Sequence, residues 1–137
     1  MTSRAELEQH VAERAANRCE YCRMHQSLQG AQFHLEHIVP ISRGGATELA
    51  NLALACPGCN LRKSNRVECI DPESNETVSL FHPRSQAWDQ HFGWDDFSVT
   101  GITAIGRATV AALDLNHPRR VRIRQAEKVF ELFPPDG

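Results

Sequence analysis

Two cysteine pairs, Cys19-Glu20-Tyr21-Cys22 and Cys56-Pro57-Gly58-Cys59, constrain this chain more than any other feature. Each pair puts two thiols on one tight turn, and four thiolates together complete the tetrahedral shell that a structural Zn²⁺ prefers. Pro57-Gly58 suits such a turn, which needs unusual backbone angles. The 33 residues between the pairs exceed the gap of a simple zinc ribbon, so folded structure must lie between them. Four buried reduced cysteines, or one redox-active pair, are the alternative. A shell closed by four cysteines leaves no position for water, so such a zinc holds a fold and any catalysis must come from elsewhere. Cys69 has no partner at this spacing and reads as a small buried hydrophobe.

With 137 residues there is room for one compact domain with appendages, and 41% hydrophobic with 23% charged residues is ordinary globular composition. No apolar run approaches the roughly 20 residues needed to span a bilayer. The first residues, Met1 to Glu6, are polar, so the expectation is a cytoplasmic protein with no membrane partner. Five cysteines in such a chain are metal ligands or thiols more readily than disulfides. A net charge of −2 gives no global sign of nucleic-acid binding. The basic residues are uneven, however, with Arg119, Arg120, Arg122 and Arg124 crowded after Pro118 as a candidate phosphate-binding face.

Ser3 to Glu6 fits a capping box, and Leu7, Val11 and Ala15 share one face of a helix spanning about Thr2 to Ala16. Gln32 to Val39 alternates as a short strand, broken by Pro40 and Gly44-Gly45. Leu49 to Ala55 is apolar apart from Asn51 and fits either a helix end or a strand, while Asn60 to Asn65 can begin a helix. Asp71 to Asn75 reads as a turn, Val78 to Phe81 as a strand, and Thr103 and Pro118 as the starts of two helices, the second ending before Pro134-Pro135. Trp88, Phe92, Trp94 and Phe97 are expected to pack a small second core, and His82 and His91 to be structural.

Between the cysteine pairs lie Phe33-His34-Leu35-Glu36-His37-Ile38-Val39-Pro40, Gly44-Gly45 and Asn51-Leu52-Ala53-Leu54, followed after the second pair by Asn60 and Lys63. Histidine beside a carboxylate on a strand, a glycine loop and an amide at a helix start are the parts of a one-metal hydrolytic site. Imidazole can take a proton from water near neutral pH, and oxygen ligands such as Glu36 and Asn60 suit Mg²⁺ or Mn²⁺. Positions three apart on a strand alternate faces, which puts His34 opposite His37.

Residues 19 to 63 resemble the zinc-knuckle HNH endonucleases: a first C-x-x-C, an acidic residue before His, Pro, Gly-Gly, Asn-Leu-x-Leu, then C-x-x-C-N-x-x-K. The tail is similar to a subgroup of bacterial HNH proteins through Asp71-Pro72, Leu80 to Arg84, Trp88, His91-Phe92 and Gly106 to Val110. The resemblance implies an α+β fold in which a ββα-metal core is stapled by a four-cysteine zinc site and followed by a helical C-terminal extension. It divides the chain into a nuclease core with its N-terminal helix (1–67) and an extension packed on the same domain (68–137). By resemblance His37 is the general base, Asn51 braces the loop, Asn60 is a metal ligand, Glu36 stands where the family more often has Asp as the other ligand, and DNA is the substrate. Lys63 joins the arginines as a candidate nucleic-acid contact. The rival class is a non-catalytic zinc module that binds nucleic acid or protein.

Overall fold

A computed structural model describes residues 2–135; Met1, Asp136 and Gly137 lie outside the described residues. The fold is α+β. Helix α1 (Arg4–Arg14) starts where Ser3 accepts a hydrogen bond from the Glu6 amide, and buries Val11. Its last turn is anchored by Arg14, which donates to the carbonyls of Leu49 and Leu52 at 3.0 and 2.6 Å. Strands β1 (His34–His37) and β2 (Leu52–Ala55) pair antiparallel, with His34 opposite Ala55 and His37 opposite Leu52. Helix α2 (Pro57–Lys63) follows at once, with Pro57 at its first position and the Cys56 sulfur capping it by accepting from the Cys59 amide. This is the ββα unit. Leu49 to Ala55 thus divides into a turn of 3₁₀ helix and a strand with all four residues buried. The continuous apolar run Leu52 to Ala55 is what a strand covered on both faces requires.

The remaining chain adds two more hairpins and three helices. Strands β3 (Glu68–Ile70) and β4 (Thr77–Ser79) flank the expected turn, with β4 starting one residue and ending two residues earlier than the sequence suggests. A short helix α3 (Trp88–His91) leads into β5 (Phe92–Asp95) and β6 (Ser98–Gly101), then α4 (Ala104–Ala112) and α5 (Pro118–Val129). The β5–β6 hairpin, which the sequence reading omits, carries the expected aromatic cluster. Trp88 stacks near Phe92 and Trp94 at 4.9 and 5.3 Å between ring centroids. Gly101 and Gly106 permit the close approach of α4, since a Cβ on Gly106 would sit 1.9 Å from the His91 carbonyl oxygen.

The β3–β4 turn is locked to α4 by a two-pronged ion pair, Arg107 to both oxygens of the buried Asp71 at 3.0 and 2.9 Å. The Arg107 hydrogen bonds hold the Asp71 carboxyl well below the usual carboxylate range. A carboxyl with a depressed folded-state pKa stabilises fully above its unfolded value, near 4, and loses that contribution as pH falls toward the folded value. Asp71→Asn is therefore expected to lower the melting temperature at pH 7, and the gap to the unsubstituted protein is expected to narrow below about pH 4. A gap independent of pH would remove the ion pair from the account.

Candidate metal centre and active site

The two knuckles meet in the core. Cys19, Cys22, Cys56 and Cys59 are all buried, are not joined by disulfides, and have sulfurs within 4.8 Å of one another. Cys22 and Cys56 are 3.7 Å apart at sulfur. A disulfide would need about 2.05 Å. A tetrahedron with metal–sulfur bonds of about 2.3 Å has sulfur edges near 3.8 Å, so the spacing fits zinc. The amides of Cys22 and Cys59 point at the sulfurs of Cys19 and Cys56, at 3.5 and 3.4 Å, as donors to thiolate. Without a cation, burial pushes the Cys59 thiol well above its ordinary pKa, as do the hydrogen bonds among the four sulfurs. A dication relieves that penalty by taking the place of the protons.

The segment between the knuckles is fastened by buried polar groups. Asn51 accepts from the Val39 amide and donates to the carbonyls of Val39 and Ala46, all at 2.9 Å, so one amide side chain closes the loop from Pro40 to Gly45. Gly45 is glycine because a Cβ there would lie 1.8 Å from the Val39 carbonyl oxygen. His37 is half-buried at the end of β1, and its Nε2 lies 2.8 Å from Thr47 Oγ1 on this same loop. Thr47 is a partner that the sequence reading misses; lying between the Gly-Gly pair and Asn51 is its only signal.

Glu36 requires a correction. Expected as a ligand of the catalytic cation, it is 5% exposed and engaged by two side chains, Tyr21 Oη at 2.8 Å and Lys63 Nζ at 2.6 Å. Burial pushes its carboxyl pKa up, against the lowering by Lys63 and Tyr21. Its partners lie 15 and 27 residues away in sequence, which is why a pattern of alternating residues cannot reveal them. Lys63 is corrected with it: expected to meet nucleic acid, it is 1% exposed and also donates to the Ile38 carbonyl at 2.8 Å. The pair joins α2 to the strand and fixes the backbone beside His37. Asn60, half-buried, lines an open cleft of about 360 Å³ with His34, Leu35 and Leu54, while Arg4 and Glu8 of α1 also line it. His37 does not line that cleft, so the structure groups Asn60 with His34.

The arginine cluster divides. Arg119 and Arg122 are exposed, but Arg120 and Arg124, expected to meet phosphate, are interior. Positions 120, 124 and 127 recur at helical spacing on the buried face of α5. Arg124 donates to the carbonyls of Phe97 and Leu115 at 2.9 and 2.8 Å and lies over the Trp94 ring. Arg120 reaches the metal centre, with Nη1 3.1 Å from the Cys59 sulfur. Burial alone would lower its pKa, but Cys59, Cys22 and Cys56 outweigh that and hold it above its ordinary value. Three other exposed arginines gather beside the ββα unit: Arg43 donates to the Asn65 carbonyl at 2.8 Å, and Arg66 to the Arg62 carbonyl at 2.7 Å.

The C-terminal half is tied into the same centre. Arg84 pairs with the buried Glu20 inside the first knuckle, and Trp88 donates to the Tyr21 carbonyl at 2.9 Å. Burial pushes the Arg84 pKa down to about 10.

No curated protein and no solved structure matches the chain. One family model does, and its span runs from the first knuckle thiol past the end of α2, taking in the His37 strand and the Asn51 brace: residues 19–66 match the model of the HNH endonuclease family.

Proposed function

We propose that this chain is a metal-dependent endonuclease that hydrolyses DNA phosphodiester bonds, with His37 as general base and a structural zinc on the four cysteines. The observation that carries the reading is the His37 site within the HNH segment: a half-exposed imidazole at a strand end, with one nitrogen engaged by Thr47 on a loop that Asn51 closes. In the tautomer with Nε2 protonated, Nε2–H donates a hydrogen bond to Thr47 Oγ1 and Nδ1 keeps the lone pair needed to take a proton from water. A divalent cation, Mg²⁺ or Mn²⁺, supplies stabilisation of the charge that develops on phosphate and leaving oxygen. Asn60 offers an oxygen to such a cation, and His34 and Glu8 line the same cleft. So small a protein donor set suits a cation whose shell is completed by water and phosphate.

Nicking of supercoiled plasmid with Mg²⁺, with Mn²⁺ and with EDTA tests this directly. Cleavage that needs the cation is expected. A pure, zinc-loaded protein that binds plasmid and never nicks it would support the rival, a non-catalytic nucleic-acid module, which the capture of Glu36 by Lys63 favours.

For the DNA contact, the exposed guanidinia of Arg43, Arg62 and Arg66 replace the interior pair of α5, with Arg119 and Arg122 retained. Each phosphate contact contributes about 0.9 to the salt slope of duplex binding. Replacing Arg43, Arg62 and Arg66 by Ala is expected to weaken binding to all sequences in EDTA and to flatten that slope by about 2–3. A slope equal to that of the unsubstituted protein would make the three a solvated face.

A further inference from the structure

We propose that Arg120 of α5 is part of the metal centre itself: its guanidinium offsets charge on a four-thiolate zinc site and sets how tightly the site keeps its metal and how readily its sulfurs react. This rests on the zinc reading above.

Zinc with four thiolates carries a net charge of −2, and a buried charge of that size needs compensation within the protein. The two knuckle amides supply only partial charges. Arg120 supplies a full one, from a position 61 residues beyond Cys59 in sequence, at 3.1 Å and 7% exposed. Among the described residues no carboxylate pairs with it, and its second terminal nitrogen, Nη2, has no hydrogen-bond partner in the protein. The thiolates are therefore its counter-charge.

The second knuckle has also made room for it. A Cβ on Gly58 would lie 2.5 Å from Arg120 Nη2. Gly58 sits in the first turn of α2 without a positive φ, so the glycine there serves space and not backbone freedom. Arg124, one turn further along α5, cannot substitute, because its guanidinium is bound to the carbonyls of Phe97 and Leu115. The C-terminal extension thus reaches back to finish a site whose ligands all come from the HNH segment.

The test uses the full zinc-loaded chain with three substitutions, Arg120→Met, Arg120→Lys and Gly58→Ala. Two quantities are read: zinc partition against a chromophoric chelator, and the rate at which iodoacetamide alkylates the cysteines. Arg120→Met is expected to lower zinc affinity by about 10–100-fold, the usual effect of losing an outer-shell partner, and to speed alkylation. Arg120→Lys keeps the charge without the fork and is expected to fall between. Gly58→Ala favours the helix but pushes the guanidinium away, so it is expected to shift both readouts in the same direction as Arg120→Met. Should Arg120→Met fail to fold, Gly58→Ala decides alone. Unsubstituted protein without zinc would overturn the metal reading and this proposal with it. One zinc per chain, with chelator partition and alkylation unchanged in the folded variants, would overturn only the role of Arg120.

Discussion

Removal of zinc, by chelator or by Cys56→Ser, is expected to unfold residues 19–66 and to take the C-terminal half with them. Apparent binding energies for structural zinc run to about 10–16 kcal/mol, while a domain of this size is stable by only about 5–15 kcal/mol. The metal term is thus as large as the whole margin. The four sulfurs are not an appendage to the core: they share one buried cluster with Tyr21, Met24, Leu52, Leu54 and Trp88. Cys56 also caps α2, so serine at that position would disturb the helix start as well as the metal shell. The extension is expected to follow because Arg120, Arg84 and Trp88 all end on knuckle residues. Acid acts in the same direction as chelator, since burial raises the Cys59 pKa when no cation is present and protons then compete for the sulfurs. Metal analysis and far-ultraviolet circular dichroism before and after chelation decide it. A protein purified without zinc, or one that keeps its melting temperature after losing it, would show that the cysteines only fill space.

What was legible in the sequence was whatever is written locally. Two C-x-x-C pairs specify their own convergence, and a histidine followed by Pro and Gly-Gly marks a strand running into a tight loop. The Glu6 amide bonding back to Ser3 could be read from residues three apart. The illegible parts depend on partners far away in the chain. Glu36 looks like a ligand because carboxylate beside imidazole is ligand chemistry, and only the fold brings Tyr21 and Lys63 to it. Arg120 and Arg124 look like surface charge because arginine is almost never fully buried without a partner. The partners are sulfurs and carbonyls from other elements. One signal was available: with Ile123 and Glu127 they occupy one face of α5, and the helix has no wide apolar stripe to bury instead. The β5–β6 hairpin was hidden for a different reason. Its turn at Asp96-Phe97 lacks the Asn-Gly type of signature, and Asp96 adopts a positive φ of 51° that glycine would usually take.

His37→Ala is expected to lower the cleavage rate by about 10²–10⁴ while leaving fold, zinc content and DNA affinity intact. The imidazole is half-buried and its one described hydrogen bond is to Thr47, so its loss opens no cavity in the core and leaves no buried charge unpaired. A group that only takes a proton acts in the transition state and not in binding, which is why rate and affinity are expected to separate. Two companions place the effect. Thr47→Val removes the hydroxyl that holds Nε2 and keeps the shape; a smaller loss of rate with a displaced pH profile is expected, because the imidazole would lose its fixed tautomer. Asn60→Ala is expected to raise the cation concentration needed for half-maximal rate without the same loss at saturation, as befits a ligand. His34 lines the Asn60 cleft, so His34→Ala is expected to resemble Asn60→Ala and not His37→Ala. A dead His34 variant beside an active His37 variant would move the base to the cleft shared with Asn60. If both variants cleave at the unsubstituted rate, the chemistry lies outside the HNH segment.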